Sequence, residues 1–590
     1  MRKIYSIIMA VALFVAGVAM PGCKDKNDVQ EPAKVQKYRM SITASKGADN
    51  KANGPKKVLG LDGSTLTATW ATDEEVTVYN ETKGAALTGV LKPQSAGANT
   101  TLLGELTGTI EAGDELTLKF LSPSYASQDG TLEYISANCD YATASVTVSS
   151  VSGSTIYTEG TANFANQQAI VKFTLMKKAD NSAVEIPAAT ALTVNDGTNT
   201  YTVTPASATD VLFVAIPATN TVHLSTSFSG FTYSYDKTAT DLLAAGQYYE
   251  IGVKMWREVN LAGISSNTTL INGDKVVGTI GGKYQISIAD GATVNLYDAT
   301  ITYASNGADY AGLTCAGDAT IVLGDGTTNT VVSGLDGSGN NNWPGIYVPE
   351  DKTLTINGNT GILNARCGQD SYDGSAAGIG CGFSSDCGNI IINGGVINAY
   401  GGAKSAGIGG VNKRSCGNIT INGGTVTAIG DSYGSDTGYG AGIGTGGSIV
   451  GTATVTCGDI TITGGNVTAT GGRGAAGIGT GHSGKNVAIT CGNITISGGT
   501  VIATGGGDAD LGYEGAAAIG TGNKEDTGTA DNKCGNITIT TGVTRVTATK
   551  GSSNADNSIG TSGSNNICGT ITIGGVVTGS ISTSPYTYEP

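Results

Sequence analysis

The sequence predicts an all-β chain in two parts, a β-sandwich over residues 39–255 followed by a right-handed parallel β-helix of about nine coils over 256–590. Three observations lead there. Cys-Gly-Asn-Ile recurs at Cys387, Cys416, Cys491 and Cys534, with Cys-Gly-Asp-Ile at Cys457 and Cys-Gly-Thr-Ile at Cys568. A second signature precedes each copy: Ala377-Gly-Ile-Gly380, Ala406-Gly-Ile-Gly409, Ala441-Gly-Ile-Gly444, Ala476-Gly-Ile-Gly479, Ala517-Ala-Ile-Gly520 and Asn557-Ser-Ile-Gly560. A fixed core at uneven spacing marks a solenoid, in which one unit cannot bury its apolar face without stacking on its neighbours. Finally, the first half lacks these repeats and carries longer apolar alternations.

Within a unit, apolar residues and Thr alternate with period 2 in Ile419-Thr420-Ile421 and Thr425-Val426-Thr427-Ala428, which reads as two strands. Asn422-Gly423-Gly424 between them is a turn that needs positive φ. Gly-Ile-Gly leaves room for one short third strand. No stretch shows a helical apolar period. Three strands and three turns per unit describe a parallel β-helix whose coils stack at about 4.8 Å. Earlier, degenerate coils are expected around Gly312-Leu-Thr314 with Ala319–Leu323, Gly345-Ile-Tyr347 with Thr353–Ile356, and Tyr284–Tyr303. The coils run from roughly 262 to 580, with atypical ends that act as caps.

Residues 1–23 read as an export signal: Arg2 and Lys3, an apolar run from Ile7 to Val18, then Met20-Pro-Gly-Cys23. The Gly-Cys junction resembles a bacterial lipobox, with Met where Leu is more usual. It implies cleavage before Cys23 and lipidation of that thiol. Residues 24–38, opening with Lys24-Asp-Lys-Asn-Asp28, form a tether.

Residues 39–255 hold candidate strands such as Glu75–Tyr79, Asp114–Leu121, Ala169–Leu175, Val211–Ile216 and Tyr248–Met255, separated by turns such as Asn195-Asp-Gly197. Three segments, Trp70-Ala-Thr-Asp-Glu-Glu-Val-Thr-Val-Tyr79, Phe164–Leu175 and Leu243-Ala-Ala-Gly-Gln-Tyr-Tyr-Glu-Ile251, resemble the fimbrillin family of Gram-negative lipoprotein pilins and accessory subunits. The resemblance implies a two-part β-sandwich, outer-membrane display and possible fimbrial partners. In stalk members an Arg-directed protease removes an N-terminal strand, and Arg39 is the one candidate between Lys3 and Trp256. The plainer reading of Arg39, a solvated linker residue, is preferred. The chain departs from stalk pilins, because the sandwich runs into Lys254-Met-Trp-Arg257 and a solenoid rather than ending in a donated strand. The solenoid resembles pectin-lyase-like β-helices and the tandem repeats appended to fimbrillin-like proteins.

A net charge of −15 disfavours nucleic acid, since phosphate binding needs clustered Lys and Arg. From Arg257 onward, 14 Lys and Arg face 24 Asp and Glu, so the acidity is not held in one half. Six of the 11 cysteines, Cys387, Cys416, Cys457, Cys491, Cys534 and Cys568, share one repeat position and should stack as a structural ladder. Side chains pointing the same way do not favour a disulfide torsion, so the ladder is read as mostly reduced. Inter-coil bridges are the alternative.

No catalytic site, metal site or cofactor is expected. The outward repeat positions are Thr and Asn, and no zinc spacing, nucleophile elbow or phosphate loop occurs. His482 reads as a solvated loop residue. The loops ahead of Gly-Ile-Gly are the candidate binding elements. Asp370-Ser-Tyr372-Asp373, Asp431-Ser-Tyr433 with Tyr439, and the loop of Tyr513 carry acids and aromatics, and Trp343 extends the strip. Tyr rings two coils apart, at about 9.6 Å, suit stacking on a glycan whose hydroxyls Asp residues would accept. Calcium on Asp370/Asp373 or Asp431/Asp436 is the weaker reading. The expectation is a lipid-anchored outer-membrane adhesin with a host or bacterial glycan as partner. A passive spacer is the alternative, with a polysaccharide lyase or hydrolase behind it.

Overall fold

The computed structural model describes residues 36–46, 60–62, 65–67, 69–281, 284–303, 310–334, 342–368, 376–430, 439–448, 454–484, 486–507, 515–524, 531–552 and 554–590. Cys23 and the signal segment lie outside these residues. The chain is all-β, as its alternations predict; among the described residues one α-helix occurs, Leu132–Asn138. No helix there is long and apolar enough to cross a membrane. The chain divides into two compact units, 1–123 with 136–167, and 124–135 with 168–590.

In the first unit, Gln36–Lys46 buries Tyr38, Met40, Ile42 and Ala44 on one face, the period-2 pattern of a strand with one apolar side. It pairs antiparallel with Asn99–Gly108 and parallel with Ala162–Asn166. The pairing continues through Ala142–Ser152, Glu115–Phe120, Val76–Asn80 and Leu91–Pro93 back to Asn99–Gly108, a closed circuit. Closure removes the open edges that invite unwanted pairing. Trp70 is the centre of the core, edge-on to Phe120 at 5.9 Å and to Phe164 at 5.1 Å. The strand begins at Gln36, inside the segment read as a tether. Arg39 is therefore no linker residue: its side chain is exposed, but its backbone is paired with Glu105 on one side and Thr155 on the other.

The second unit continues from Gln168–Lys177 to Tyr248–Asn260 through antiparallel pairings, with these first and last strands parallel to each other. The last of these runs straight across position 255, where the sequence places the sandwich boundary. Composition changes there, but the sheet does not: Arg257–Asn260 pairs in parallel with Asp274–Val277. The guanidinium of Arg257 holds the buried Asp274 carboxylate through Nε and Nη2, both at 2.6 Å. The solenoid thus stacks directly on this strand.

Every later coil adds rungs in register. Ile390, Ile419, Ile460, Ile494, Ile537 and Ile571 form one inward ladder, and Ile397, Val426, Val467, Val501 and Val546 a second. Ile379, Ile408, Ile443, Ile478, Ile519 and Ile559 form a third, within a sheet of ten strands. That sheet has one rung more than the expected coil count, because Thr268–Leu270 already belongs to it. A difference from the three-strand unit appears late in the chain. Thr454–Cys457, Ala488–Cys491, Lys533–Cys534 and Ile567–Cys568 make a fourth parallel sheet. Residues ahead of Cys457 and Cys491 lengthen those coils enough to pair a further strand.

The Gly-Ile-Gly signature is steric. The second glycine stands at φ +136° in Gly380, +126° in Gly409, +136° in Gly444, +133° in Gly479 and +130° in Gly520. At each, a Cβ would overlap the carbonyl of the matching glycine one coil on. Side chains are excluded by the stacking as well as by the dihedral. The far end is closed by antiparallel returns, Val576–Thr578 on Ile571–Ile573 and Tyr586–Tyr588 on Val543–Thr549.

Candidate functional site

The turn after each Cys-Gly is held by a side-chain relay that runs from coil to coil. Asn389 Oδ1 accepts the Asn418 N–H at 2.8 Å, and Asn418 Oδ1 accepts that of Asp459 at 2.8 Å. Asp459 then caps Asn493 at 2.7 Å, and Asn493 caps Asn536 at 3.0 Å. The repeated Asn therefore satisfies backbone donors between coils rather than meeting a ligand. Its recurrence at one repeat position is the signal in the sequence that could have found it.

The cysteines occupy equivalent positions of successive coils, Cys387 beside Cys416, then Cys457, Cys491, Cys534 and Cys568. Cys416 to Cys534 are buried and unbridged, and neighbouring thiols together with burial hold Cys457 well above the usual thiol range. Cys387 departs from the expected reduced ladder. It is bonded to Cys381, six residues before it, with the two Cα atoms 4.8 Å apart.

Tyr372, Tyr433, Tyr513, Asp370, Asp373 and Asp431 lie outside the described residues. Tyr439 does not offer an exposed ring: it is 5% exposed and stacks on the His482 imidazole at 4.8 Å, 27° from parallel. His482 is correspondingly buried rather than solvated. Burial pushes its imidazole down to about 4, so it is neutral at pH 7. The two turns lie on adjacent coils and against each other, since His482 N donates to Tyr439 O at 2.9 Å and Ser448 N to His482 O at 3.0 Å.

Trp343 is half-buried and meets Tyr347 edge-on at 5.5 Å. The loop Cys381–Cys387 lies against it. Phe383 N donates to Asn342 O at 2.9 Å, and Gly382 is close enough that a Cβ would sit 3.5 Å from the indole. Phe383 itself is 43% exposed. Arg414, on the next coil, donates from Nε to Phe383 O at 2.9 Å. The described residues contain no group of three or more His, Cys, Asp or Glu able to hold a metal ion.

In-register parallel rungs around an aliphatic interior define the larger part of the chain as a parallel β-helix repeat protein. The Beta helix repeat family matches residues 390–410, 419–447, 460–482 and 494–523. The chain is 28% identical over 194 residues to the Adhesin BmaC autotransporter of Brucella suis biovar 1 (strain 1330), covering 29% of this chain and 6% of that relative. Among solved structures, a proposed cell adhesion protein of Bacteroides fragilis NCTC 9343 aligns with a TM-score of 0.23 and 11% identity, over 36% of this chain and 92% of its own. A fimbrial protein of Bacteroides ovatus ATCC 8483 aligns with a TM-score of 0.20 and 8% identity, over 37% of this chain and 49% of its own.

Proposed function

We propose that the chain is a cell-surface adhesin, anchored to the outer membrane through a lipid on Cys23, whose solenoid presents a saccharide-binding edge. The observation that carries this reading is the division of labour within the coils. The sheet faces are uniform ladders, whereas three of the segments ahead of Gly-Ile-Gly, those of Tyr372, Tyr433 and Tyr513, carry aromatic and acidic residues. Loops set on a rigid scaffold are where recognition residues concentrate. The stretch shared with the autotransporter adhesin is in keeping with it. The test is a saccharide array probed with the chain lacking residues 1–23, in parallel with a Tyr372→Ala/Tyr433→Ala/Tyr513→Ala variant. Binding by the parent chain supports the reading, and its loss in the variant assigns it to the Tyr-bearing loops. A second reading, a passive spacer, draws on the unbroken parallel pairing from Arg257 to Ile573 and is the outcome if the array stays blank.

A further inference from the structure

We propose that the disulfide-braced loop Cys381–Cys387 is a binding platform for a carboxylate-bearing saccharide, with Phe383, Trp343 and Tyr347 receiving the sugar ring and Arg414 its carboxylate. The inference rests on the adhesin reading above and names a site for it.

The brace is the first observation. Gly380 pairs with Gly409, then with Gly444, Gly479, Gly520 and Gly560 in the following coils. The next residue is Cys381 in this coil, but Gly410, Thr445, Thr480, Thr521 and Thr561 in the others. The coil that has the extra cysteine is the one that displays Phe383. The bond to Cys387 closes the loop at both ends, and the short pairing of Gly382 with Ser385 tightens its tip. An exposed aromatic on a closed loop loses little freedom on binding, which is how preorganisation raises affinity.

The ring chemistry is the second. Trp343 meets Tyr347 edge-on, and Phe383 follows Gly382, where a Cβ would sit 3.5 Å from the indole; none of the three belongs to the buried core of the Ile ladders. Aromatic faces bind the C–H face of a sugar, and the flanking amides and hydroxyls of Asn342, Ser384 and Ser385 supply the hydrogen-bonding rim.

Charge is the third. Lys413 and Arg414 are the one adjacent basic pair from Arg257 to the C-terminus, in a chain of net charge −15. They lie on the turn closed by the Val411–Arg414 pairing, with Arg414 Nε donating to Phe383 O at 2.9 Å, which leaves its terminal nitrogens as the remaining donors. A guanidinium held this way can donate from its two terminal nitrogens to a carboxylate. Asp386, the carboxylate of the loop, accepts the Ser415 N–H through Oδ1 at 3.0 Å.

The experiment uses the chain lacking residues 1–23 on an array of uronic-acid and nonulosonic-acid saccharides, each beside its neutral counterpart. The variants are Phe383→Ala, Arg414→Gln and the Tyr372/Tyr433/Tyr513 triple Ala variant. The expected result is binding of carboxylated members that weakens with added salt and falls about tenfold or more in Phe383→Ala and in Arg414→Gln. Phe383 is exposed, so its replacement should leave the thermal midpoint in place; Arg414→Gln provides the second variant should it not. Binding that persists in both variants but disappears in the triple Tyr variant overturns this site and leaves the adhesin reading standing. Equal binding of the neutral counterparts also overturns it. A blank array removes both.

Discussion

Replacing Gly444 by Ala should damage the solenoid far more than replacing Gly575 by Ala, although both glycines have positive φ. Gly575 stands at φ +80°, and a methyl group added there would meet no atom within 4 Å, so Ala carries only the dihedral penalty, about 1 kcal/mol. Gly444 stands at φ +136°, and its methyl would lie 3.0 Å from Gly479 C and nearer still to the oxygen. Relief requires the two coils to part. The Thr445 N–Gly479 O hydrogen bond, already 3.1 Å, breaks first, at a cost of roughly 1 kcal/mol. Ile443 and Ile478, paired and fully buried beside it, then pack less closely, adding about 1–3 kcal/mol. With a dihedral term of about 1–3 kcal/mol, Gly444→Ala should destabilise by about 3–7 kcal/mol. Urea unfolding of the chain lacking residues 1–23, followed by strand circular dichroism, measures the midpoint. Hydrogen exchange should show the extra opening centred on the coils of Ile443 and Ile478. If the two variants shift the midpoint equally, the steric account of Gly-Ile-Gly is wrong.

Arg39 should resist an Arg-directed protease in the folded chain, because hydrogen-bonded strands on both sides keep the backbone from entering a protease cleft; rapid native cleavage after Arg39, read by N-terminal sequencing, would refute this. The imidazole of His482 titrates at about 4 when folded and at about 6.5 when unfolded, so its neutral form supports the fold fully above 6.5 and the support is lost as pH falls toward 4. His482→Phe, which keeps a ring against Tyr439, should therefore remove about 2 kcal/mol of the stability that the parent loses between pH 7 and pH 5. An unchanged difference between the two pH values would count against the buried, neutral assignment. Thiol alkylation in denaturant without reductant should modify Cys416, Cys457, Cys491 and Cys534 but leave Cys381 and Cys387 unmodified until reductant is added, as read by peptide mass mapping.

The interior of the solenoid was legible in the sequence because a strand imposes period 2 and stacking imposes identity between coils. Ile419-Thr420-Ile421 shows both at once: its isoleucines continue the ladders of neighbouring coils, and its Thr points outward. The Gly-Ile-Gly repeat was equally plain, since only glycine fits where one backbone crosses another. Local pattern could not reveal what depends on partners distant in sequence. The strand Tyr248–Asn260 looked like the end of a sandwich, yet its pairing with Asp274–Ile280 carries the sheet onward. Arg39 looked like a linker residue, but its neighbours Glu105 and Thr155 come from remote strands. Tyr439 and His482 carried the polarity of surface loops, and each is covered by the other's turn. The bond between Cys381 and Cys387, and the exposure of Phe383 beside Trp343, depend on the direction in which one coil leaves its third strand. Repetition and alternation are local and survive in the sequence; which loop meets which side chain is set by stacking, and only the tertiary structure decides it.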